Sequence, residues 1–377
     1  MTDFGHPNRR QILAGGAALA ASGAITLGSG TRAHAATRAL GIVEVFPVGL
    51  GCQWVRRDTP DEVNDFYSSI LSKAEAEELV RRAVDRGVTL IDTAEAYGPL
   101  VSEEIVGKAL SGVRDRVTIE TKFGFDIDPE TGAQLGGTNS RPAHVRRAVE
   151  AMLKRLRTDR IDVLIQHRVD PEVPIEDVAG VIGELMAEGK VLNWGLSEPG
   201  INTVRRAHAE QPLSVIQNQY SMNVRTPEAE VLPLCNELGI GLVCWSPLGM
   251  GFLSGKMGAG SRFPEGDFRA VVPMYAPENL PANMAIFELV KSWATRKSAT
   301  PAQVALAWLM AQGPMVVPIP GTTNPAHLDE NIGGADLTFS TEELEELNTA
   351  LASIPVRGDR LPAGVLAGTG VEAPKPD

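Results

Sequence analysis

Asp92, Tyr97, Lys122 and His167 are the side chains of this 377-residue sequence best suited to moving a proton. The apolar run 88–91 (VTLI) suits a strand covered on both faces, yet it stops on the Asp92 carboxylate, and a phenol follows at Tyr97. The run 117–122 (VTIETK) ends on Lys122, and 161–166 (IDVLIQ) leads into His167. Singly, each has a plain structural reading: a helix-capping aspartate, a turn tyrosine, a snorkelling lysine, a hydrogen-bonded core histidine. At the same end of successive strands they make a proton-transfer set. A free phenol, with a pKa near ~10, is a weak donor at neutral pH, and a neighbouring ammonium lowers that value by stabilising the phenolate. Asp92 would hold the Lys122 ammonium in place. His167 would orient a carbonyl oxygen, and Tyr97 would protonate it as a hydride reaches the carbon.

Such a set needs a scaffold that aims strand ends at one rim. Eight apolar runs read as strands: 45–50, 88–92, 117–122, 161–166, 191–196, 213–218, 240–246 and 315–319. Helical periodicity lies between them, clearest at 74–86, 142–157, 175–188, 227–238 and 301–311, several with Pro near the first turn. Alternation of this kind predicts an α/β (β/α)8 TIM barrel, in which chemistry sits at the C-terminal strand ends. The rival, a doubly wound sheet, should show a G-x-G-x-x-G turn after its first strand, and "GLGCQW" at 49–54 does not supply it. Two segments break the repeat. Residues 247–281 read as a long functional cover, and the Pro/Gly-rich tail 354–377 reads as a frayed end or a flap over the barrel mouth.

A net charge of −12 argues against nucleic-acid or anionic-membrane partners. Three scattered cysteines, Cys52, Cys235 and Cys244, supply neither a disulfide framework nor a metal site, so no metal is expected. Residues 1–35 read as a leader: an Arg9-Arg10 pair, a weakly apolar Ala/Gly run, and "AHA" at 33–35 as a cleavage site. That pattern resembles a twin-arginine export signal and predicts an exported protein handled by the twin-arginine machinery. The alternative is a disordered leader on a cytoplasmic protein. No other stretch is long enough for stable membrane insertion. The barrel would then span 36–353, and oligomeric state is left open.

The motifs "DTAEAYG", "TKFG", "QHR", "GLSE", "SPLG" and "IPGTT…HLDEN" resemble, in order and spacing, those of the aldo-keto reductase superfamily, over about residues 40 to 350. The resemblance implies a metal-free barrel that uses NADPH or NADH to reduce an aldehyde or ketone, or to oxidise the alcohol. It places the family's catalytic tetrad on Asp92, Tyr97, Lys122 and His167. Contacts to the nicotinamide carboxamide fall on Ser197 and Gln217, and the stacking aromatic on Trp245. Pyrophosphate and ribose contacts fall on Ser246, Leu248, Gly249 and Lys256, and the adenine end on Gly321, Thr322, Glu330 and Asn331.

Departures from the family pattern carry information. Glu198 stands where many members have Asn. Thr323, Asn324 and His327 occupy positions where a Lys or Arg commonly meets the 2′-phosphate, and Met250 stands where similar sequences carry Lys. A phosphate of nearly two charges calls for a cation, so a weaker NADPH preference is expected unless Arg262 or Arg269 supplies one. Strand alternation puts Glu120 on the Lys122 side, one layer deeper, where it competes with Asp92 for the ammonium; alternatively the strand twists and Glu120 meets an outer helix. Trp54, Tyr97 and His167, with Met274 and Tyr275 nearby, suggest a pocket for a small carbonyl substrate with an apolar or stacking surface. Two other functions fit the same barrel: a non-catalytic cofactor-binding sensor or partner subunit, and a lyase using Lys122 as a Schiff base.

Overall fold

A computed structural model describes residues 37–53 and 71–376; the leader and Trp54 lie outside that range. The barrel strands are β1 (Leu50–Gly51), β2 (Leu90–Asp92), β3 (Thr118–Phe123), β4 (Val163–Gln166), β5 (Trp194–Ser197), β6 (Val215–Gln219), β7 (Gly241–Trp245) and β8 (Val316–Pro318). They pair in parallel and in chain order. The sheet closes on itself: Gly49 N donates to Pro318 O at 2.9 Å, and Gly51 bridges in parallel to Gly321. A Cβ at Gly51 would stand 2.9 Å from Ile319 O, so the seam needs a glycine there. This is the expected (β/α)8 barrel.

The first strand is shorter than its apolar run suggests. The run 45–50 is split, because Pro47 offers no N–H to a ladder and the barrel strand begins only at Leu50. The preceding segment makes an antiparallel hairpin, Arg38–Leu40 against Val43–Val45. Leu40 and Val45 pack with Leu90, Val163, Ile165, Val215, Val243 and Val317, a cluster of inward strand residues. The hairpin therefore plugs the bottom of the barrel and shuts water out from below.

The outer layer is α1 (Lys73–Asp85), α2 (Val101–Ala109), α3 (Pro142–Leu156), α4 (Ile175–Ala187), α5 (Ile201–Glu210), α6 (Val231–Leu238), α7 (Leu280–Lys297), α8 (Pro301–Ala311), α9 (Pro325–Gly333) and α10 (Thr341–Ala352). Local chemistry sets several starts. Ser72 and Glu75 form a capping box on α1, as Thr300 and Gln303 do on α8, and Pro142 and Pro301 open their helices. Pro227 differs: it sits in a separate 3₁₀ turn, Thr226–Glu228, and α6 starts after Glu230 leaves helical geometry. None of the described helices is long and apolar enough to cross a membrane.

Two excursions position the site. A second hairpin, Phe125–Ile127 with Gln134–Thr138, follows β3. The segment after β7 runs through short 3₁₀ turns (Gly249–Gly251, Phe268–Val271, Pro273–Tyr275) before α7 begins. The tail is folded, with a short helix α11 (Ala363–Leu366), and it is bound to α5: Glu372 accepts from the backbone N–H of Asn202 and Thr203, and Gly200 N donates to Val371 O.

Leu40 is fully buried at the centre of the plug. Leu40→Ala should therefore lower unfolding stability by about 2–5 kcal/mol, read from the urea midpoint at constant slope. A loss below ~0.5 kcal/mol would show that the hairpin does not seal a packed core.

Candidate active site

The rim assembles from the ends of β2, β3 and β4. Lys122 and Asp92 face each other across neighbouring strands, with side chains 0% and 3% exposed, and form an ion pair. The ammonium also donates to Thr93 O at 2.9 Å and to Tyr97 Oη at 3.2 Å. All three ammonium hydrogens thus have acceptors. Because Lys122 donates to the phenol oxygen, the phenol's own hydrogen is free to turn elsewhere. His167 stands edge-on to Tyr97 with ring centroids 5.8 Å apart, and Phe125 packs against its other side at 4.9 Å. Asp92, Tyr97, Lys122 and His167 therefore converge on one point.

Burial dominates the electrostatics. It pushes the Tyr97 phenol up to about 12, although the Lys122 charge pulls the other way. This corrects the expectation of a net lowering: the ammonium reduces the upward shift without reversing it. Burial also opposes the Lys122 charge, but the Asp92 carboxylate outweighs that and raises the ammonium. His167 is held well below the usual imidazole range by burial and by the Arg168 and Lys122 cations. It is neutral at pH 7. Its Nδ1 is buried without a partner, which leaves Nε2 for the cavity. A lysine so fully engaged and held cationic is a poor Schiff-base nucleophile.

Two hollows meet at Tyr97 and Trp245. The larger, about 370 Å³, runs from Asp92 and Tyr97 past Ser246, Leu248 and Lys256 to Gly321, Thr322, Glu330 and Asn331. The smaller, about 260 Å³, is lined by Tyr97, Phe125, His167, Arg168, Ser197, Gln217, Trp245, Leu361 and Val365. The elongated hollow fits a dinucleotide. An aromatic lies at the catalytic end, hydroxyls and one ammonium lie midway, and the N-terminus of α9 lies at the far end. Ser246, Gly249, Met250 and Gly251 all have positive φ, so the chain crosses the hollow as a run of left-handed turns. Gly249 itself does not line it. Its carbonyl accepts from Tyr275 Oη at 2.7 Å, and a Cβ would meet Asn223 Oδ1 at 2.8 Å, so its part is to shape the loop.

Other expectations need correcting. Met274 and Tyr275 are buried behind that loop and line neither hollow. Arg262 donates to Ser261 O, and Arg269 is bound to Asp267; neither borders the larger hollow. Glu120 faces the barrel interior rather than an outer helix. It makes no ion pair with Lys122; its carboxyl takes a hydrogen bond from Gln217 Nε2. Glu198 is not open to a ligand amide. It binds Arg360 Nη2 at 2.7 Å, Gln219 N at 2.7 Å and Trp245 Nε1 at 3.1 Å. Sequence reasoning missed Phe125, Arg168, Arg360, Leu361 and Val365 as site residues. Arg168 directly follows His167 and could have been found from its place at the strand end; its guanidinium donates to Ser197 Oγ at 3.2 Å. Among the described residues no cluster of His, Cys, Asp and Glu could hold a metal ion, and the three cysteines are free and buried.

The family model described as "Aldo/keto reductase family" matches residues 65–352. The chain belongs to the aldo-keto reductase family. It is 40% identical over 318 residues to the probable aldo-keto reductase 1 of Glycine max, spanning 84% of this chain and 88% of that protein. The glycerol dehydrogenase of Gluconobacter oxydans superposes with a TM-score of 0.75 at 27% identity, covering 85% of this chain and 96% of that one. An aldo/keto reductase from Klebsiella pneumoniae, solved with NADP and acetate, gives 0.62 at 26% identity over 86% and 97% of the two chains. As an aldo-keto reductase, this protein is an oxidoreductase that uses a nicotinamide cofactor on carbonyl compounds.

The tail is part of this reductase's site, because Arg360 ties it to Glu198 while Leu361 and Val365 wall the smaller hollow. Removing one partner of a buried pair strands the other. Arg360→Met should therefore make the tail open locally and speed chymotryptic cleavage after Leu361 or Leu366 roughly tenfold. Cleavage at the wild-type rate would show that the pair does not hold the tail.

Proposed function

We propose that this protein reduces an apolar-bodied aldehyde or ketone, with Tyr97 as general acid and the smaller hollow as the substrate site. The observation that carries this is the Lys122 ammonium, held between Asp92 and Thr93 O, standing 3.2 Å from Tyr97 Oη. When bound, the nicotinamide supplies the hydride. His167, neutral and open to the cavity through Nε2, hydrogen-bonds the carbonyl oxygen and turns it toward Tyr97. Tyr97 gives its proton to that oxygen, and the phenolate left behind is stabilised by the adjacent ammonium. Asp92 keeps that ammonium charged and in place. Trp245 offers a stacking face between the two hollows, fixed by its bond to Glu198. Phe125, Leu361 and Val365 exclude water around the carbonyl.

Tyr97→Phe should reduce kcat for aldehyde reduction by about 10²–10⁴-fold and leave cofactor affinity unchanged, measured by steady-state kinetics and by fluorescence titration of the cofactor. Turnover within threefold of wild type would exclude Tyr97 as the acid.

The pH dependence follows from the two shifts. Tyr97 must be protonated to donate, and its acid form persists up to about 12. His167 must be neutral, and its lowered value keeps it so through the ordinary imidazole range and below it. The kcat/KM for reduction should therefore be level from about pH 7 to about pH 10. An alkaline limb centred near pH ~8 would contradict this ordering.

For the cofactor we favour use of NADH alongside NADPH. Lys256 is the one Lys or Arg among the described residues lining the larger hollow, and Glu330 adds a carboxylate at its far end. A 2′-phosphate finds little to pair with there. The two dissociation constants should lie within about tenfold of each other; a hundredfold preference for NADPH would end the idea.

The leader supports export by the twin-arginine route, with mature protein beginning near Ala36. N-terminal sequencing of secreted or periplasmic protein tests this. An intact Met1 in the cytoplasmic fraction alone would refute it.

A further inference from the structure

Beneath the tetrad lies a second carboxyl group that the chemistry above does not use. Glu120 is fully buried and is the cross-strand neighbour of Asp92. One of its oxygens accepts from Gln217 Nε2, and the same nitrogen donates to Asp92 Oδ1 at 2.9 Å. Its other oxygen, Oε2, is buried with no donor to satisfy it. Lys122 cannot supply one, since its three hydrogens go to Asp92, Thr93 O and Tyr97. The charged groups facing Glu120 are Asp92 on β2 and Lys122 on its own strand. Gln217 faces it from β6, and its β4 neighbour is the apolar Val163.

Two ionised carboxylates sharing one ammonium in a dry interior repel each other, and each pays for desolvation. A single proton on Glu120 removes both costs. It turns the orphaned oxygen into a donor and Asp92 into its acceptor.

We propose that Glu120 is a positioning residue, held as an un-ionised acid, which donates to Asp92 and accepts from Gln217 and so fixes the direction in which the Gln217 carboxamide faces. Burial, then the Asp92 charge, drive the Glu120 acid well above the usual carboxyl range, in keeping with that arrangement. With both Nε2 hydrogens of Gln217 committed to the two carboxyls below, its carbonyl oxygen is the atom left for the hollow. That presents an acceptor to an amide N–H₂ of a ligand, which is the carboxamide contact that the family resemblance implies for Gln217; the inference rests on that reading and on the proposed use of a nicotinamide cofactor. It also leaves the floor electrically balanced, one ammonium against one carboxylate, so only Asp92, and no second anion, offsets the Lys122 charge at Tyr97.

The test uses full-length wild type, Glu120→Gln and Glu120→Met. Gln is neutral, nearly isosteric, and able to donate to Asp92 while accepting from Gln217. It should keep the reduction kcat, the NADH and NADPH dissociation constants and the pH profile of kcat/KM within about twofold of wild type. Met loses both bonds and should weaken NADH and NADPH binding roughly tenfold. The infrared difference spectrum of wild type minus Glu120→Gln at pH 7 should show the carbonyl band of an un-ionised carboxylic acid.

A Glu120→Gln pH profile displaced to lower pH would mean that an anion had been removed, and would overturn the proposal. So would a carboxylate band in the difference spectrum, or unchanged cofactor binding in Glu120→Met. The infrared result stands whether or not any carbonyl compound is turned over, so failure of the reductase reading and failure of this inference are separable.

Discussion

The ion pair between Asp92 and Lys122 governs the rest of the site. Two opposite charges sit in the barrel interior with almost no solvent contact. Taking such charges out of water costs several kcal/mol per ion, repaid only when every hydrogen-bonding direction is used. Here the ammonium has three acceptors, and Asp92 Oδ1 also takes a bond from Gln217. On a dry floor the mutual attraction of the two charges is strong. The floor is dry because the Arg38–Leu40/Val43–Val45 hairpin plugs the barrel and a layer of Val, Leu and Ile side chains fills the space above it. Packing at the bottom thus sustains the electrostatics at the top.

The same dryness orders the titrations. It drives Tyr97 up and His167 down, so the phenol stays protonated and the imidazole stays neutral across the same pH range. The ammonium does not make the phenol acidic in the resting protein. Its contribution grows when a proton leaves Tyr97, because stabilising the phenolate matters only then. The tail extends the network outward: Arg360 engages Glu198, which holds the Trp245 indole, Leu361 follows Arg360 directly, and Val365 lies four residues further on. One salt bridge therefore couples a wall of the smaller hollow to the aromatic face between the hollows.

Much of this was legible in the sequence because period and punctuation are local signals. Runs of apolar residues stopping on Asp92 and Lys122 marked the strands and placed polar groups at their ends. The eight-strand alternation gave the barrel. What was not legible depends on contacts distant in sequence. The pairing of Glu198 with Arg360 spans 162 residues, and nothing in "GLSE" points to the tail. The plugging hairpin was hidden because Val43–Val45 and Leu50–Gly51 merge into one apolar run. Gly249 reads as a ligand contact from its motif; in the structure its carbonyl accepts from Tyr275 and it does not line the larger hollow. The net direction of the Tyr97 shift was missed because local reasoning sees the neighbouring charge and not the depth of burial.

Lys122→Met, the removal of the central cation by a side chain of similar length, tests the account most directly. The measurement is single-turnover reduction of an aromatic aldehyde by enzyme saturated with 4-deuterated reduced cofactor, reading deuterium in the product alcohol. The account predicts deuterium transfer in the wild type and a loss of at least ~10²-fold in that step in the variant, with cofactor still bound. Transfer at the wild-type rate without the ammonium would contradict it.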